Sequence, residues 1–317
     1  AGAELLMVAH QVVPALTGSR EVSICASETG INGFVRSELG FDRVVISDAL
    51  DMGALDQGPA QVVEIIAMMR AGTDLLLCMP DPDLQERARL ALDRGHARGL
   101  IPDDTLKAAM ARVERARSSV RPTQIRPERV GSAGHRQLAM RLAEASITLV
   151  RNDDSLIPLR PEAGQRLLCL EPEPVNVTPA DTTALYPPQL ASALSARHPG
   201  VTATVYPHNP TPSDIAAVVA QAKDHDVIVL GTVTATSGQI DLAQTLLGLG
   251  KPMVTLALRT PFDLGTYPGS STHACTYGAH RPSLDALTAA LFGHIPFRGH
   301  LPVAIPGLHE RGHGIET

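Results

Sequence analysis

Tryptophan is absent from this 317-residue chain, and aromatic residues make up only 3% of it. A binding platform of stacked tryptophan rings is therefore excluded. Lysine and arginine number 27 against 33 acidic residues, and the formal charge of −6 provides no basic stripe for nucleic acid. No apolar run approaches the roughly 18 residues that a membrane-spanning helix needs. We expect neither a nucleic-acid partner nor a membrane span.

Cysteine is scarce and widely spaced. A chain of this size with no CxxC pair is not built as a disulfide scaffold, and its four cysteines are Cys25, Cys78, Cys169 and Cys275. The phosphate-binding, dinucleotide-binding and nucleophilic-serine motifs GxxxxGK[ST], GxGxxG and GxSxG are also missing. His309 and His313 have the spacing of a helical metal pair, but Gly312 and Gly314 argue against a helix there. We expect no cofactor and no metal.

What the chain does contain is a globular composition, with 44% apolar and 19% charged residues. Apolar runs alternate with segments of helical periodicity through the first 120 residues. Because such alternation with short links is typical of βα units on a parallel sheet, we predict an α/β fold. The predicted strands are residues 4–10, 43–48 and 74–78, and the predicted helices are residues 29–39, 61–71, 83–98 and 103–118.

Two of these predicted strands end in side chains that can do chemistry. Residues 43–48 form a β-branched run that ends in Asp48, and the first strand ends at His10. Catalytic groups of (β/α)₈ barrels lie at the carboxyl ends of strands. By itself, an aspartate after a strand is more often a turn or cap residue. A histidine there is as often bonded to nearby backbone.

The second half of the chain predicts another α/β unit, an open sheet covered on both faces. We assign residues 1–120 to a first domain, residues 121–134 to a Pro- and Gly-containing linker, and residues 135–317 to a second domain. The predicted strands of the second domain are residues 146–150, 166–170, 201–206, 226–231 and 252–258, and its predicted helices are residues 135–145, 188–197, 213–223, 242–249 and 283–292.

Short motifs are distributed over both halves of the chain. Those of the first half are MVAH at residues 7–10, VVPAL at 12–16, RSELGFD at 36–42, SDALDMGA at 47–54 and AGTDLLL at 71–77. Those of the second half are GKP at 250–252, ALRTPFDL at 257–264, TYG at 276–278 and FRGHLPVAIPGL at 297–308. These motifs resemble glycoside hydrolase family 3, and most closely its bacterial β-N-acetylglucosaminidase branch. They follow the family's order over nearly the whole chain.

The resemblance implies a fold, a reaction and site residues. Residues 1–120 would be the last three βα units of a (β/α)₈ barrel, and residues 135–317 would be an αβα sandwich. Asp48 would be the nucleophile of a retaining exo-β-N-acetylglucosaminidase that acts on cell-wall or chitin saccharides. His10 would lie near the sugar, orienting a carboxylate or contacting the substrate, and Met52 would form an apolar wall of the sugar subsite. An ordinary core methionine is nearly as good an interpretation of Met52.

The proton donor of this mechanism has no counterpart in the chain. Family β-glucosidases take a Glu from a second-domain loop, but the matching residues 233–242 contain none, and Asp241 there is interpreted as a helix-start residue. The N-acetylglucosaminidase branch uses a His on a barrel loop that precedes the strand on which this chain opens. We therefore expect an N-terminal half-barrel to be missing and to be required for a complete site. The isolated chain would then have little activity.

Three alternatives stay open. The chain could belong to a β-glucosidase or β-xylosidase, to an N-acetylglucosaminide phosphorylase of the same family, or to an inactive carbohydrate-binding fragment. Residues 1–4 lack the basic and apolar regions of a signal peptide, and the chain does not begin with Met. The compartment therefore stays open between cytoplasm and secretion.

Overall fold

The computed structural model describes residues 2–120, 126–162, 164–178 and 181–317. The chain forms two compact units, Ala1–Ile125 and Arg126–Thr317. The predicted linker, residues 121–134, falls partly outside the described residues, since 121–125 are not among them. In its described part a short turn of 3₁₀-helix covers Pro127–Arg129.

Unit 1 is built on three parallel strands in the order β1–β2–β3, with β2 in the centre. Its strands are β1 (Leu5–Val8), β2 (Val44–Ala49) and β3 (Leu75–Leu77). Its helices are α1 (Pro14–Thr17), a π-helix (Thr29–Glu38), α2 (Gln61–Ala71), α3 (Pro82–Ala97) and α4 (Asp103–Ser119).

The element boundaries of unit 1 follow local signals. Helix α2 ends where predicted because Gly72 adopts a left-handed conformation, φ 102°, and caps it. A side chain at residue 72 would also meet Asn32, since a Cβ there would lie 2.5 Å from Asn32 Oδ1. Strand β1 is only partly buried, because its residues alternate and Leu5 and Met7 are 50% and 52% exposed. This alternation arises because β1 is an edge strand that packs on its neighbours through one face.

Unit 2 is a six-stranded sheet in the order β4–β9–β8–β7–β5–β6, parallel except that β4 runs antiparallel to β9. Its strands are β4 (Thr148–Asn152), β5 (Leu167–Pro172), β6 (Val201–Tyr206), β7 (Val227–Thr232), β8 (Met253–Ala257) and β9 (Thr272–Cys275). Its helices are α5 (Ala133–Ser146), α6 (Leu190–Ser195), α7 (Pro212–Lys223), α8 (Ser237–Leu247) and α9 (Arg281–Leu291).

Two buried clusters cover the two faces of this sheet. Leu167 and Cys169 of β5 join the cluster formed with α5, α6 and α9. Leu168 and Leu170 of the same strand point the other way, into the cluster formed with α7 and α8. The α/β fold class predicted from the sequence is confirmed for both units. None of the described helices combines the length and apolarity needed to cross a bilayer.

Candidate functional site

Strand β2 carries Asp48 to the carboxyl end of the unit 1 sheet. Val44 and Val45 at its start are buried, as expected for a β-branched central strand. Burial decreases toward the end of the strand, where Asp48 is half-buried. The sequence pattern thus places one acidic side chain at the boundary between the core and solvent.

A β-bulge sets the direction of this strand end. Ile46 pairs with Leu75, but the next pair is Ala49 with Leu77, so β2 contains one residue more than β3 between the two pairs. Ser47, which is fully buried, bridges the irregularity. Its Oγ accepts a hydrogen bond from Leu77 N at 3.1 Å and donates one to the Asp48 carbonyl at 2.8 Å. Bulges of this kind commonly redirect a side chain beside an active site.

The Asp48 carboxylate is held by the backbone through one of its two oxygens. Its Oδ1 accepts a hydrogen bond from Ala49 N at 2.8 Å. The second oxygen, Oδ2, has no hydrogen-bond partner among the described residues and is not enclosed by protein. One oxygen is therefore fixed while the other remains available to a ligand.

His10 lies beside this strand end, 7% exposed, with both ring nitrogens bonded to protein. Its Nε2 is 3.1 Å from the carbonyl oxygen of Ala49, and its Nδ1 is 3.2 Å from the sulfur of Cys25. The structure thus brings His10 to the residue that follows Asp48. Its role near the sugar stays a prediction.

Met52 occupies the turn after β2. Its backbone nitrogen donates to the Ala49 carbonyl at 3.2 Å, and its side chain is 42% exposed. That exposure argues against the interpretation of Met52 as an ordinary core methionine. Asp51 beside it is exposed, as expected for a solvated loop acid.

Two titratable residues near this site were not found from the sequence. Cys25 is fully buried against His10, and burial raises the pKa of its thiol. Glu64 on α2 has a buried Oε2 that finds no hydrogen-bond partner in the part of the chain that the structure describes. Burial, followed by the charge of Asp56, raises the pKa of Glu64. The apolar neighbours of Glu64 on both sides were the available signal, whereas nothing local marks Cys25.

The second-domain residues 233–242, which contain no Glu, lead into a helix that begins at Ser237. Helix α8 begins at Ser237, and the side chain of Thr236 caps it by accepting from Gln239 N. Asp241 therefore lies inside the helix rather than at its start, which corrects that interpretation. The sequence does not predict this cap, because Ser237 and Gly238 directly after Thr236 are typical of a loop.

The C-terminal histidines pack on strand β4. The rings of His309 and His313 stack with centroids 4.2 Å apart, and His313 Nε2 donates to the carbonyl of Val150. Arg151 Nε donates to His309 Nε2 at 3.1 Å. Within the described ranges, no group of three or more His, Cys, Asp or Glu side chains is arranged to hold a metal ion.

Known proteins similar to this chain place this geometry in context. Residues 1–116 match the model of the glycosyl hydrolase family 3 N terminal domain. This region is therefore similar to the N-terminal domain of glycosyl hydrolase family 3. The matched family 3 region includes β1, β2 and β3, and with them His10, Asp48 and Met52.

Relatives extend the similarity across both units. The chain is 25% identical over 341 residues to a beta-N-acetylglucosaminidase/beta-glucosidase of Cellulomonas fimi, covering 96% of this chain and 58% of the relative. It is 24% identical over 352 residues to beta-hexosaminidase A of Pseudoalteromonas piscicida, covering 95% of this chain and 58% of the relative. The chain thus spans 58% of the length of each of these two curated relatives.

A solved structure shares the fold. The family 3 beta-N-acetylglucosaminidase from Paenibacillus sp. str. FPU-7 superposes with a TM-score of 0.84 at 22% identity. The match covers 96% of this chain and 59% of the Paenibacillus chain. At this identity the likeness establishes the fold alone.

Proposed function

We propose that this chain is part of a retaining exo-β-N-acetylglucosaminidase that acts on cell-wall or chitin-derived saccharides, with Asp48 as its nucleophile. The observation that supports the proposal most directly is the hydrogen bonding of the Asp48 carboxylate, which lies within the residues that match family 3. One carboxylate oxygen is held by Ala49 N and the other is open. The name of the Cellulomonas relative supports an N-acetylglucosaminide substrate, and that of the Pseudoalteromonas relative supports the wider class of hexosaminides.

In this mechanism the open oxygen of Asp48 attacks the anomeric carbon as the glycosidic C–O bond breaks. A proton donor about 5 Å away protonates the departing oxygen, and water later releases the sugar from the aspartyl ester. Residues 233–242 contain no Glu to serve as that donor. We propose that the donor is supplied from residues outside this chain, and that the chain alone has little activity.

The remaining assignments follow from position. Met52, exposed in the turn after β2, would contact an apolar face of the sugar ring. His10 would act beside Asp48. At the level of the fold, we propose that β1, β2 and β3 are the last three strands of a (β/α)₈ barrel, with unit 2 forming an αβα sandwich. The short parallel sheet with its exposed edge strand supports the first assignment, and the two clusters on opposite faces support the second.

The test is the substitution Asp48→Asn in the complete gene product, assayed with an aryl β-N-acetylglucosaminide. We expect kcat to fall by on the order of 10³-fold or more, as when other enzyme nucleophiles are removed. The matched control is Asp51→Asn, which alters an exposed carboxylate three residues further on. Mass spectrometry after incubation with an activated fluorinated N-acetylglucosaminide should locate a covalent sugar on Asp48. An adduct on another residue, or full turnover by the Asp48→Asn variant, would refute the assignment.

A second candidate is suggested by the Cellulomonas relative, whose name includes beta-glucosidase. Paired assays on aryl glucosides, xylosides and N-acetylglucosaminides would separate these activities. Repeating the assay with and without inorganic phosphate would distinguish hydrolysis from phosphorolysis. Sugar binding without turnover of any substrate would instead support a non-catalytic binding role.

A further inference from the structure

The geometry points to a hydrogen-bonded chain, Ser23–Cys25–His10–Ala49, that positions the Asp48 carboxylate, with Cys25 selecting the tautomer of His10. The inference rests on the proposed role of Asp48. In this proposal His10 positions Asp48 through the backbone of Ala49 and does not act by contacting the sugar. Cys25 acts by selecting the tautomer of His10.

The first step concerns Nε2 of His10. Its partner, 3.1 Å away, is the carbonyl oxygen of Ala49, which can only accept a hydrogen bond. In the neutral imidazole this bond favours the hydrogen on Nε2, and the second ring nitrogen decides how strongly that tautomer is preferred. Because the ring is only 7% exposed, solvent has little access to compete for this bond.

The second step concerns Nδ1, which can only accept in the Nε2–H tautomer of the neutral ring. Its neighbour is the Cys25 sulfur at 3.2 Å. Cys25 is fully buried, and burial raises the pKa of its thiol, so the sulfur retains its proton and can donate it to Nδ1. Ser23 Oγ, also 3.2 Å from the sulfur, can donate to it in turn. The Cys25 carbonyl accepts from Thr73 Oγ1 at 2.9 Å, which anchors the segment that carries the thiol.

The third step connects this chain to the nucleophile. Ala49 donates its N–H to Asp48 Oδ1, while its carbonyl accepts from both His10 Nε2 and Met52 N. Both polar groups of Ala49 are therefore fixed, and the orientation of the carboxylate depends on them. A displacement of about 1 Å at a reacting group can cost on the order of 100-fold in rate, so loss of the chain should reduce kcat.

The first measurement is independent of activity. The ¹³C and ¹⁵N shifts of the His10 ring in the 317-residue chain should report the Nε2–H tautomer. Cys25→Ser, which keeps a donor, should preserve that tautomer, whereas Cys25→Ala should give a mixture. An Nδ1–H tautomer in the wild type, or the same tautomer ratio in the alanine variant, would overturn the proposal.

The second measurement is kinetic and uses the complete gene product. Cys25→Ala and His10→Asn should each lower kcat by about 10- to 100-fold. KM should change by less than about twofold, because in this proposal neither side chain contacts the substrate. Cys25→Ser should recover most of the lost rate. The matched control is Cys169→Ala, which removes an equally buried thiol in unit 2. Equal losses in the Ser and Ala variants would indicate a packing role for Cys25 and contradict the inference.

The two proposals fail in different ways. If the Asp48→Asn variant hydrolyses the substrate at the normal rate, the nucleophile assignment fails. The tautomer of His10 would still show whether Cys25 and His10 are hydrogen-bonded as proposed. If Asp48 is confirmed as the nucleophile and the tautomer is wrong, only the positioning chain fails.

Discussion

Unit 1 holds two buried or half-buried aspartates in contrasting surroundings. The side chain of Asp74 is fully buried and accepts hydrogen bonds from Arg36, Arg112 and the backbone of Val45. Within the described ranges, Asp48 forms no ion pair with Arg or Lys. A fully buried carboxylate that is already neutralised by two guanidinium groups is a poor nucleophile and is out of reach of a ligand. At the residue scale, these surroundings support the proposal that Asp48, rather than Asp74, is the reactive group.

The most perturbed histidine of the chain, His273 on β9, gives a prediction on stability. Burial, followed by the charges of Arg151 and His309, lowers its pKa from 6.5 to about 3. Between those values the unfolded state binds the extra proton and the folded state does not, so stability rises with pH. Acidification from pH 7 to 5 should therefore cost about 2 kcal/mol through this residue.

Urea unfolding of the 317-residue chain at several pH values would measure this effect. His273→Asn should make the stability of unit 2 less sensitive to pH below 6.5. The same change at exposed His135 is the control for removal of a histidine. An unchanged pH dependence in the His273→Asn variant would contradict the prediction.

At the scale of elements, unit 1 is held together by polar contacts as well as by apolar burial. Asp74 lies just before β3, and its three partners lie on the π-helix, α4 and β2. A single carboxylate thus connects four elements. The π-helix is itself terminated by the bond from Leu39 N to the carbonyl of Phe34, five residues back.

Removing that carboxylate should therefore disrupt the unit. Asp74→Ala leaves two guanidinium groups and the Val45 amide without their partner, and loss of one member of a buried ion pair costs about 3–5 kcal/mol. Asp42→Asn is the control because the Asp42 side chain is 75% exposed and its ion pairs are on the surface. Hydrogen exchange of β2 amides should accelerate in the Asp74→Ala variant alone. Equal protection in the two variants would show that the cluster is dispensable.

At the scale of the whole molecule, each unit has its own buried clusters. The clusters of unit 2 contain only residues from Ala143 onward, and the main cluster of unit 1 ends at Ala91. We therefore expect residues 126–317 produced alone to fold and to unfold cooperatively on heating. Circular dichroism would test this, and a broad, non-cooperative transition would argue against an independent unit.

Residues 1–120 should behave differently. Among the described residues β1 pairs only with β2, and Leu5 and Met7 face outward on it. An exposed strand edge and an apolar surface favour association, so we expect this piece alone to be poorly soluble. A monodisperse monomer in light scattering would contradict that expectation.

Periodicity and local stop signals in the sequence determined the α/β class and most elements of this protein. Residues 61–71 were predicted with the observed bounds because apolar spacing and Gly72 are local features. Asp48 could be placed at a strand end for the same reason. Strand β9 was missed because Thr272–Cys275 is short and its burial comes from neighbouring strands.

Only the tertiary structure decided what surrounds Asp48. The bulge depends on the register between β2 and β3, which are separated by the whole of α2. The contact of His10 with Cys25 spans 15 residues, and that with Ala49 spans 39. Propensity and periodicity act over a few residues and carry no information on such pairings. Hence the sequence predicts an aspartate at the end of a strand, whereas the packing of distant segments fixes the orientation of its carboxylate.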